Sequence, residues 1–329
     1  MARGRILSGM RPTGKLHIGH LVGALENWVK LQHEYDSFHM VADWHVLTTA
    51  YEHTDRIKQD TMEMVADWIS AGLDPDRAVV FVQSRVKEHA ELHLLLSMLV
   101  TKARLERNPT VKEVVRDLHL GGNVSYGLLG YPVLQAADIL IYKANFVPVG
   151  EDQVAHVELT REIARKFNSL YGDVFPEPEP KLTVFARLPG LDGKRMSKSI
   201  GNVIELGDSP ETILSRVKSA ITDPQKVRKG DAGHPEVCNV FSYQKRFNPG
   251  AVQEIERDCK SGALGCVSCK QTAAERLAEA LAPIREKRAA LLADPKALQE
   301  IIDKGTERAR VVARETMRDV RGGMKLWDE

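Results

Sequence analysis

A chain of 329 residues, 43% hydrophobic and 28% charged, can bury a full core and is long enough for two domains. No apolar run approaches the roughly 18 to 20 residues of a membrane helix, and Met1-Ala2-Arg3-Gly4-Arg5 leads at once into a strand-like run; a cytoplasmic protein away from membranes is expected. With a formal charge of +1, bulk charge argues neither for nor against nucleic acid, which would have to meet a local basic surface.

From Arg5 to about Leu188, short apolar runs alternate with amphipathic helices, the pattern of an α/β parallel sheet covered on both faces. Arg5-Ile6-Leu7-Ser8-Gly9 is the first strand. A turn, Arg11-Pro12-Thr13-Gly14, leads into a helix in which Leu21, Leu25, Trp28 and Val29 recur at helical spacing. Phe38 to Asp43 reads as a second strand and Ala78 to Val82 as a third, after a helix from about Arg56 to Gly72. Between about 88 and 143 the pattern turns helical, an insertion in the sheet. Phe146 to Val149 resumes as a strand, followed by a helix from about Gln153 to Asn168. Pro176-Glu177-Pro178-Glu179-Pro180 is a stiff surface loop, and Lys181 to Phe185 the last strand. Beyond Gly201 charged helices follow, with a boundary near 188–201.

Two constellations carry chemistry. In Lys15-Leu16-His17-Ile18-Gly19-His20 the histidines fall three apart, on one face near the start of a helix, where unpaired N–H groups and the helix dipole favour phosphate. Gly19 lets a flat ring or a phosphate approach the backbone. Two histidines and a glycine can also simply begin an ordinary helix. Asp192-Gly193-Lys194-Arg195-Met196-Ser197-Lys198-Ser199-Ile200-Gly201 is a glycine-bounded, basic loop. Its cations suit a pyrophosphate whose charge develops as a bond breaks, although a solvated linker between domains would look similar.

In Tyr131 to Tyr142, the polar residues Tyr131, Gln135, Asp138 and Tyr142 share one face of an otherwise apolar helix. A carboxylate and an amide there are costly to bury without partners, so a recess for a polar ligand is one reading and a wet or helix-paired face the other. Cys238, Cys259, Cys266 and Cys269 are the only cysteines, spaced for a metal site rather than for disulfides, and four thiolates suit either tetrahedral Zn²⁺ or a [4Fe–4S] cluster. Arg310, Arg314, Arg318 and Arg321 form either a basic stripe against RNA or a solvated face paired with Glu315 and Asp319. His39, His45, His89 and His93 have no ligand spacing and read as core or surface residues, and Trp28, Trp44 and Trp68 as core.

Together the two constellations resemble the HIGH and KMSKS signatures of class I aminoacyl-tRNA synthetases, in that family's order and at about its separation. Leu7 to Gly14 resembles the opening of the tryptophanyl family, and Val147-Pro148-Val149-Gly150-Glu151-Asp152-Gln153 its GEDQ segment. The resemblance implies a Rossmann-like catalytic domain over 1–190 with the insertion at 88–143, a helical, anticodon-side domain over 191–300 carrying the cysteines, and a C-terminal helix, 301–329, packing back on the catalytic domain. It implies activation of L-tryptophan with ATP and Mg²⁺, transfer to tRNA(Trp), and a homodimer. Catalytic roles fall on His17, His20, Arg195 and Lys198. ATP contacts fall on Arg11, Pro12, Thr13, Gly19, His20, Gly150, Glu151, Asp152, Leu188, Arg195, Met196, Ser197, Lys198 and Ser199. Tryptophan contacts fall on Tyr131, Gln135, Asp138 and Gln153, with Asp138 accepting the indole N–H.

Two departures matter. Arg195 stands where the family usually has its first lysine, which shifts the essential cation to Lys198. Gln135 beside Asp138 is shared with the tyrosyl family, so tyrosine is the competing substrate. A catalytically silent, RNA-binding relative is the alternative from another class. A subset of bacterial tryptophanyl enzymes carries a [4Fe–4S] cluster on similar cysteines, which favours the cluster over zinc.

Overall fold

Unbroken runs of β-branched and aromatic residues mark strands buried on both faces, and such strands are usually parallel. The structure, a computed structural model, describes residues 3–182, 188–228 and 230–328, with the side chain of Asp152 excepted. In it β1 (Arg5–Met10), β2 (Asp36–Val41), β3 (Val79–Val82), β4 (Phe146–Val149) and β5 (Glu179–Leu182) form one sheet in the order β3-β2-β1-β4-β5. All four pairings are parallel, with Leu7 beside Phe38, Met40 beside Phe81 and Val147 beside Pro180. The sheet and its helical cover are the Rossmann-like α/β fold expected from the sequence.

Alternate side chains feed two cores. Val41, Val80 and Val82 pack with Met64 and Trp68 of the helix Ile57–Ser70 and with Leu277, Leu281, Leu298 and Ile302 of the C-terminal helices. Phe38, Met40, Phe81 and Val149 pack on the other face with the helices Glu88–Ser97, Tyr126–Leu140 and Val154–Tyr171. The helix Pro295–Met324 serves both, giving Ile302 to the first core and Ala309, Ala313 and Met317 to the second as it passes the edge strand β3. Gly305 is the crossing point. A Cβ there would lie 1.9 Å from the Val80 carbonyl oxygen, so only glycine lets helix and strand backbone touch.

The insertion consists of Glu88–Ser97, Lys102–Glu106, Pro109–Asp117 and Tyr126–Leu140. The last three begin at Thr101, Asn108 and Ser125, whose side chains accept from backbone N–H groups of the first turn. β5 starts inside the expected Pro-rich loop: Pro180 is tolerated because an edge strand leaves one row of donors unused. Thr183, Val184 and Phe185, expected in that strand, lie outside the described residues.

Candidate active site

The chain lays down β1, β2 and β3 in one direction and then places β4 and β5 on the other side of β1, so the order reverses between β1 and β4. Ligands of open α/β sheets bind outside the carboxyl ends of strands at such a point. A cavity of about 420 Å³ opens there, lined by Gly9, Met10 and Arg11 at the end of β1, by Val149 and Gly150 at the end of β4, and by side chains of the insertion.

Beside it the first signature begins a continuous helical run, Ile18 to Leu31, with a π-turn over Leu21–Leu25. His17 is not on that helix, as the spacing suggested; it is the extended residue that caps it. Its Nδ1 accepts the Gly19 N–H at 3.1 Å, and Nδ1 of His20 accepts the His17 N–H at 3.2 Å. Burial, followed by the charges of Lys198 and Arg195, holds His17 down to about 4. Burial, then His17 and the same cations, holds His20 down to about 3. Both rings are neutral at pH 7, and with Nδ1 occupied as acceptor the proton is assigned to Nε2. Each ring therefore offers a neutral Nε2–H donor. Gly19 has a further use besides the one expected: a Cβ there would meet the His17 ring at 2.9 Å and the Met196 sulfur at 3.0 Å. It is the place where the two signatures touch.

The second signature is fastened to the first. Leu206 N–H donates to the Leu16 carbonyl and Ile18 N–H to the Ile204 carbonyl, both at 3.0 Å, forming a short antiparallel ladder. Met196 is buried as the loop's anchor, whereas Arg195 and Ser199 are exposed. Asn202, which sequence reasoning missed, organises the loop. Its Oδ1 accepts from Ser197 N–H, and its Nδ2 donates to Asp192 and to the Arg195 carbonyl. Lys198 Nζ donates to the Thr13 carbonyl at 2.7 Å, which brings this cation onto the opening turn that also holds Arg11 and buried Pro12. Glu151 is exposed at the start of a turn capped by Gly150, and Leu188 is half-buried against the core. The Asp152 side chain lies outside the described residues.

Tyr131, Gln135, Asp138 and Gln153 all line the cavity. Tyr142 does not: the helix ends at Leu140, and Tyr142 turns into the core, where its hydroxyl meets His89 Nε2 at 2.7 Å. Asp138 is fully buried and receives three polar partners. Oδ2 is 2.7 Å from His45 Nε2; Oδ1 is 2.6 Å from His89 Nδ1 and 2.8 Å from Gln83 Nε2. Burial pushes this carboxyl up, but the hydrogen bonds and charge of His45 and His89 outweigh it and hold the group well below the usual carboxylate range. His45 and His89 thus hold the Asp138 carboxylate, where the sequence suggested only core or surface roles, while Trp28 is core, as expected, and also borders the cavity. No spacing signal linked residues 45, 83 and 89 to 138; only the fold does.

The four cysteines are half-buried free thiols. Burial, against a hydrogen bond from Gln244 and with the other three thiols adding their charge, pushes Cys269 up to about 11. Among the described residues no three His, Cys, Asp or Glu side chains stand close enough to hold one metal ion. The arginine row is a paired face, with partners other than those expected: Arg310 meets Glu307, Arg314 Glu88, Arg318 Asp328 and Arg321 Glu91. Asp319 pairs instead with Lys143. No described helix is long and apolar enough to cross a membrane.

Residues 2–282 match the model of the class I tRNA synthetases for tryptophan and tyrosine. A tryptophan–tRNA ligase of Thermotoga maritima is 52% identical, over 98% of this chain and 99% of its own length. The chain belongs to the tryptophan–tRNA ligases, a class I synthetase family. The Aquifex aeolicus tryptophan–tRNA ligase is 44% identical over 98% of the chain and 100% of its own. The fold of these ligases is matched by a Campylobacter jejuni tryptophanyl-tRNA synthetase solved with ADP and tryptophan, at TM-score 0.90 and 35% identity, covering 98% of this chain and 100% of that one.

Proposed function

We propose that the chain activates L-tryptophan with ATP and transfers it to tRNA(Trp), using the cavity between β1 and β4. The observation that carries this reading is Asp138, a buried carboxylate kept ionised by His45 and His89 on a cavity wall lined by Trp28 and Gln135. A fixed acceptor of this kind suits an indole N–H and rejects phenylalanine, which would leave it unpaired, by on the order of 10⁴-fold.

In this scheme ATP lies over Arg11, Pro12, Thr13, Gly19 and Gly150, with Glu151, Asp152 and Leu188 on the nucleoside side. Met196, Ser197 and Ser199 shape the loop over the phosphates. Mg²⁺ arrives as the counter-ion of ATP and neutralises phosphate charge. Gln153, Tyr131 and Gln135 orient tryptophan. Its carboxylate oxygen bonds to the α-phosphorus as the bond to the pyrophosphate oxygen breaks. The Nε2–H groups of His17 and His20 and the charges of Lys198 and Arg195 hold the developing oxyanions; no side chain acts as nucleophile. The tRNA's terminal ribose hydroxyl then takes the acyl group and AMP leaves. The purified chain should show tryptophan-dependent ATP–pyrophosphate exchange. A Lys198→Ala, His20→Ala double variant that exchanged as well as wild type would overturn the scheme.

The catalytic unit is 1–190, the helical unit 191–300 meets the anticodon side of tRNA, and 301–329 packs on the catalytic unit. Exposed Leu94, Met98, Leu118 and Tyr126 on the insertion support a homodimer through that surface. Four free thiols and a tRNA partner support a cytoplasmic location. Cys238, Cys259, Cys266 and Cys269 would hold a [4Fe–4S] cluster, with zinc as the alternative. What supports a shared site is a donor set of four half-buried thiols within reach of one another's charge, and the resemblance to cluster-bearing relatives favours iron–sulfur over zinc. Its role would be structural, tying 238–269 together. Anaerobic purification should give brown protein, whereas colourless, zinc-containing protein would overturn the cluster.

A further inference from the structure

Asp67 lies in the helix Ile57–Ser70 with no exposed surface, and both of its oxygens are used. Oδ2 accepts the backbone N–H of Leu16 at 2.8 Å, and Oδ1 accepts Arg288 Nε at 2.6 Å. The other arm of Arg288, Nη2, donates to Glu63 Oε2 at 2.9 Å, and both of these side chains are nearly buried. Arg288 also lies flat on Gly207, where a Cβ would be 3.2 Å from Nη1. Gly207 follows Leu206, whose N–H holds the Leu16 carbonyl. Leu16, the residue before His17, is therefore gripped on both backbone groups, and Arg288 touches both grips.

Stability alone does not account for this arrangement. Three charges with a net surplus of one carboxylate are taken out of water, and a well-packed apolar pair generally serves a core as well or better. Geometry is what an ion pair with a directional fork adds. Arg288 also belongs to the 28-residue helix Cys266–Ala293. At 1.5 Å per residue, that helix sets Arg288 roughly 33 Å from Cys266, so one continuous helix, with Pro283 in its interior, joins the cysteine end of the molecule to the first signature.

We infer that Arg288 is a positioning residue for amino-acid activation, acting through Asp67 to set the height of Leu16 and hence of the His17 and His20 donors at the phosphates. The inference rests on the proposed ATP-binding role of those histidines. Tryptophan binds against Asp138 on the far wall, so the effect falls on ATP and not on the amino acid.

Two variants test it: the double variant Asp67→Leu, Arg288→Met, which removes the Asp67 carboxylate and the fork together, and Arg288→Lys, which keeps the cation but loses the fork. Thermal melting is measured alongside pyrophosphate exchange, with ATP and tryptophan varied separately. The double variant leaves Glu63 and the Leu16 N–H without these partners and should melt below wild type but still fold, while kcat/KM for ATP falls about tenfold or more, since small misplacements of catalytic donors cost this much. The KM for tryptophan should stay within twofold, and Arg288→Lys should fall between. ATP kinetics within twofold of wild type in a folded double variant would overturn the inference. If the double variant does not fold, Arg288→Lys decides alone: an ATP-selective loss supports the inference, and no loss, or an equal loss for both substrates, overturns it. A wild-type chain without tryptophan-dependent exchange would instead defeat the earlier functional reading.

Discussion

Replacing Asp138 by asparagine keeps the side chain's shape and removes one acceptor. The better placement puts the amide oxygen at Oδ1, where His89 and Gln83 both approach and neither lines the cavity. The NH₂ group then falls at Oδ2, on the side of His45, which does line the cavity. His45 can answer by turning its ring nitrogen into an acceptor, so folding loses little more than one charge-assisted hydrogen bond, about 1–2 kcal/mol. The indole N–H has no such adjustment, since it can only donate and would now face another donor. Losing a bond to a charged acceptor is worth about 2–3 kcal/mol, or roughly 30- to 150-fold in tryptophan affinity. Pyrophosphate exchange at saturating ATP should show the KM for tryptophan rising by that factor while preference over phenylalanine narrows. A KM within twofold of wild type would refute the assignment of Asp138 as the indole acceptor.

Other predictions test the remaining geometry. Gly19→Ala places a methyl group 2.9 Å from the His17 ring and 3.0 Å from Met196, and should lower kcat/KM for ATP by about 10²-fold with a modest loss of stability; near-normal ATP kinetics would contradict the contact between signatures. His17 and His20 should titrate by NMR near 4 and 3 in the ATP-free enzyme instead of near 6.5. Because their folded values lie below the unfolded one, the unfolded chain binds more protons. Their contribution to stability is full above about pH 6.5 and is lost as pH falls through the folded values, which denaturant melts at pH 7 and pH 5 should register. Gly305→Val drives a side chain into the Val80 carbonyl and should cost more than about 3 kcal/mol in urea unfolding; a neutral effect would mean the helix does not lie on β3.

The sheet was legible because its strands are unbroken apolar runs: Phe146 to Val149 is found where the sequence places it, and β1 to β3 differ only at their ends. The two signatures were legible as short local patterns, and Asp138 as a carboxylate out of place on an apolar helix. What was hidden was everything that reaches across the chain. His45, Gln83 and His89 meet Asp138 only because β2 and β3 end beside the Tyr126–Leu140 helix, and no periodicity encodes that meeting. Tyr142 shared a helical face with Asp138 in the sequence, but the helix stops two residues earlier and the ring turns inward. The arginine row near the C-terminus read equally as a stripe or a paired face, because two of its partners, Glu88 and Glu91, lie more than 200 residues away.

The claim that this cavity is built for tryptophan is tested most directly by ATP–pyrophosphate exchange measured with the purified chain against tryptophan and tyrosine in parallel. The account predicts saturable exchange with tryptophan and a kcat/KM about 10²-fold lower with tyrosine, whose phenol O–H can donate to Asp138 but whose smaller ring leaves part of the indole's space unfilled. Exchange with tyrosine at a comparable rate, or none with tryptophan, would contradict it.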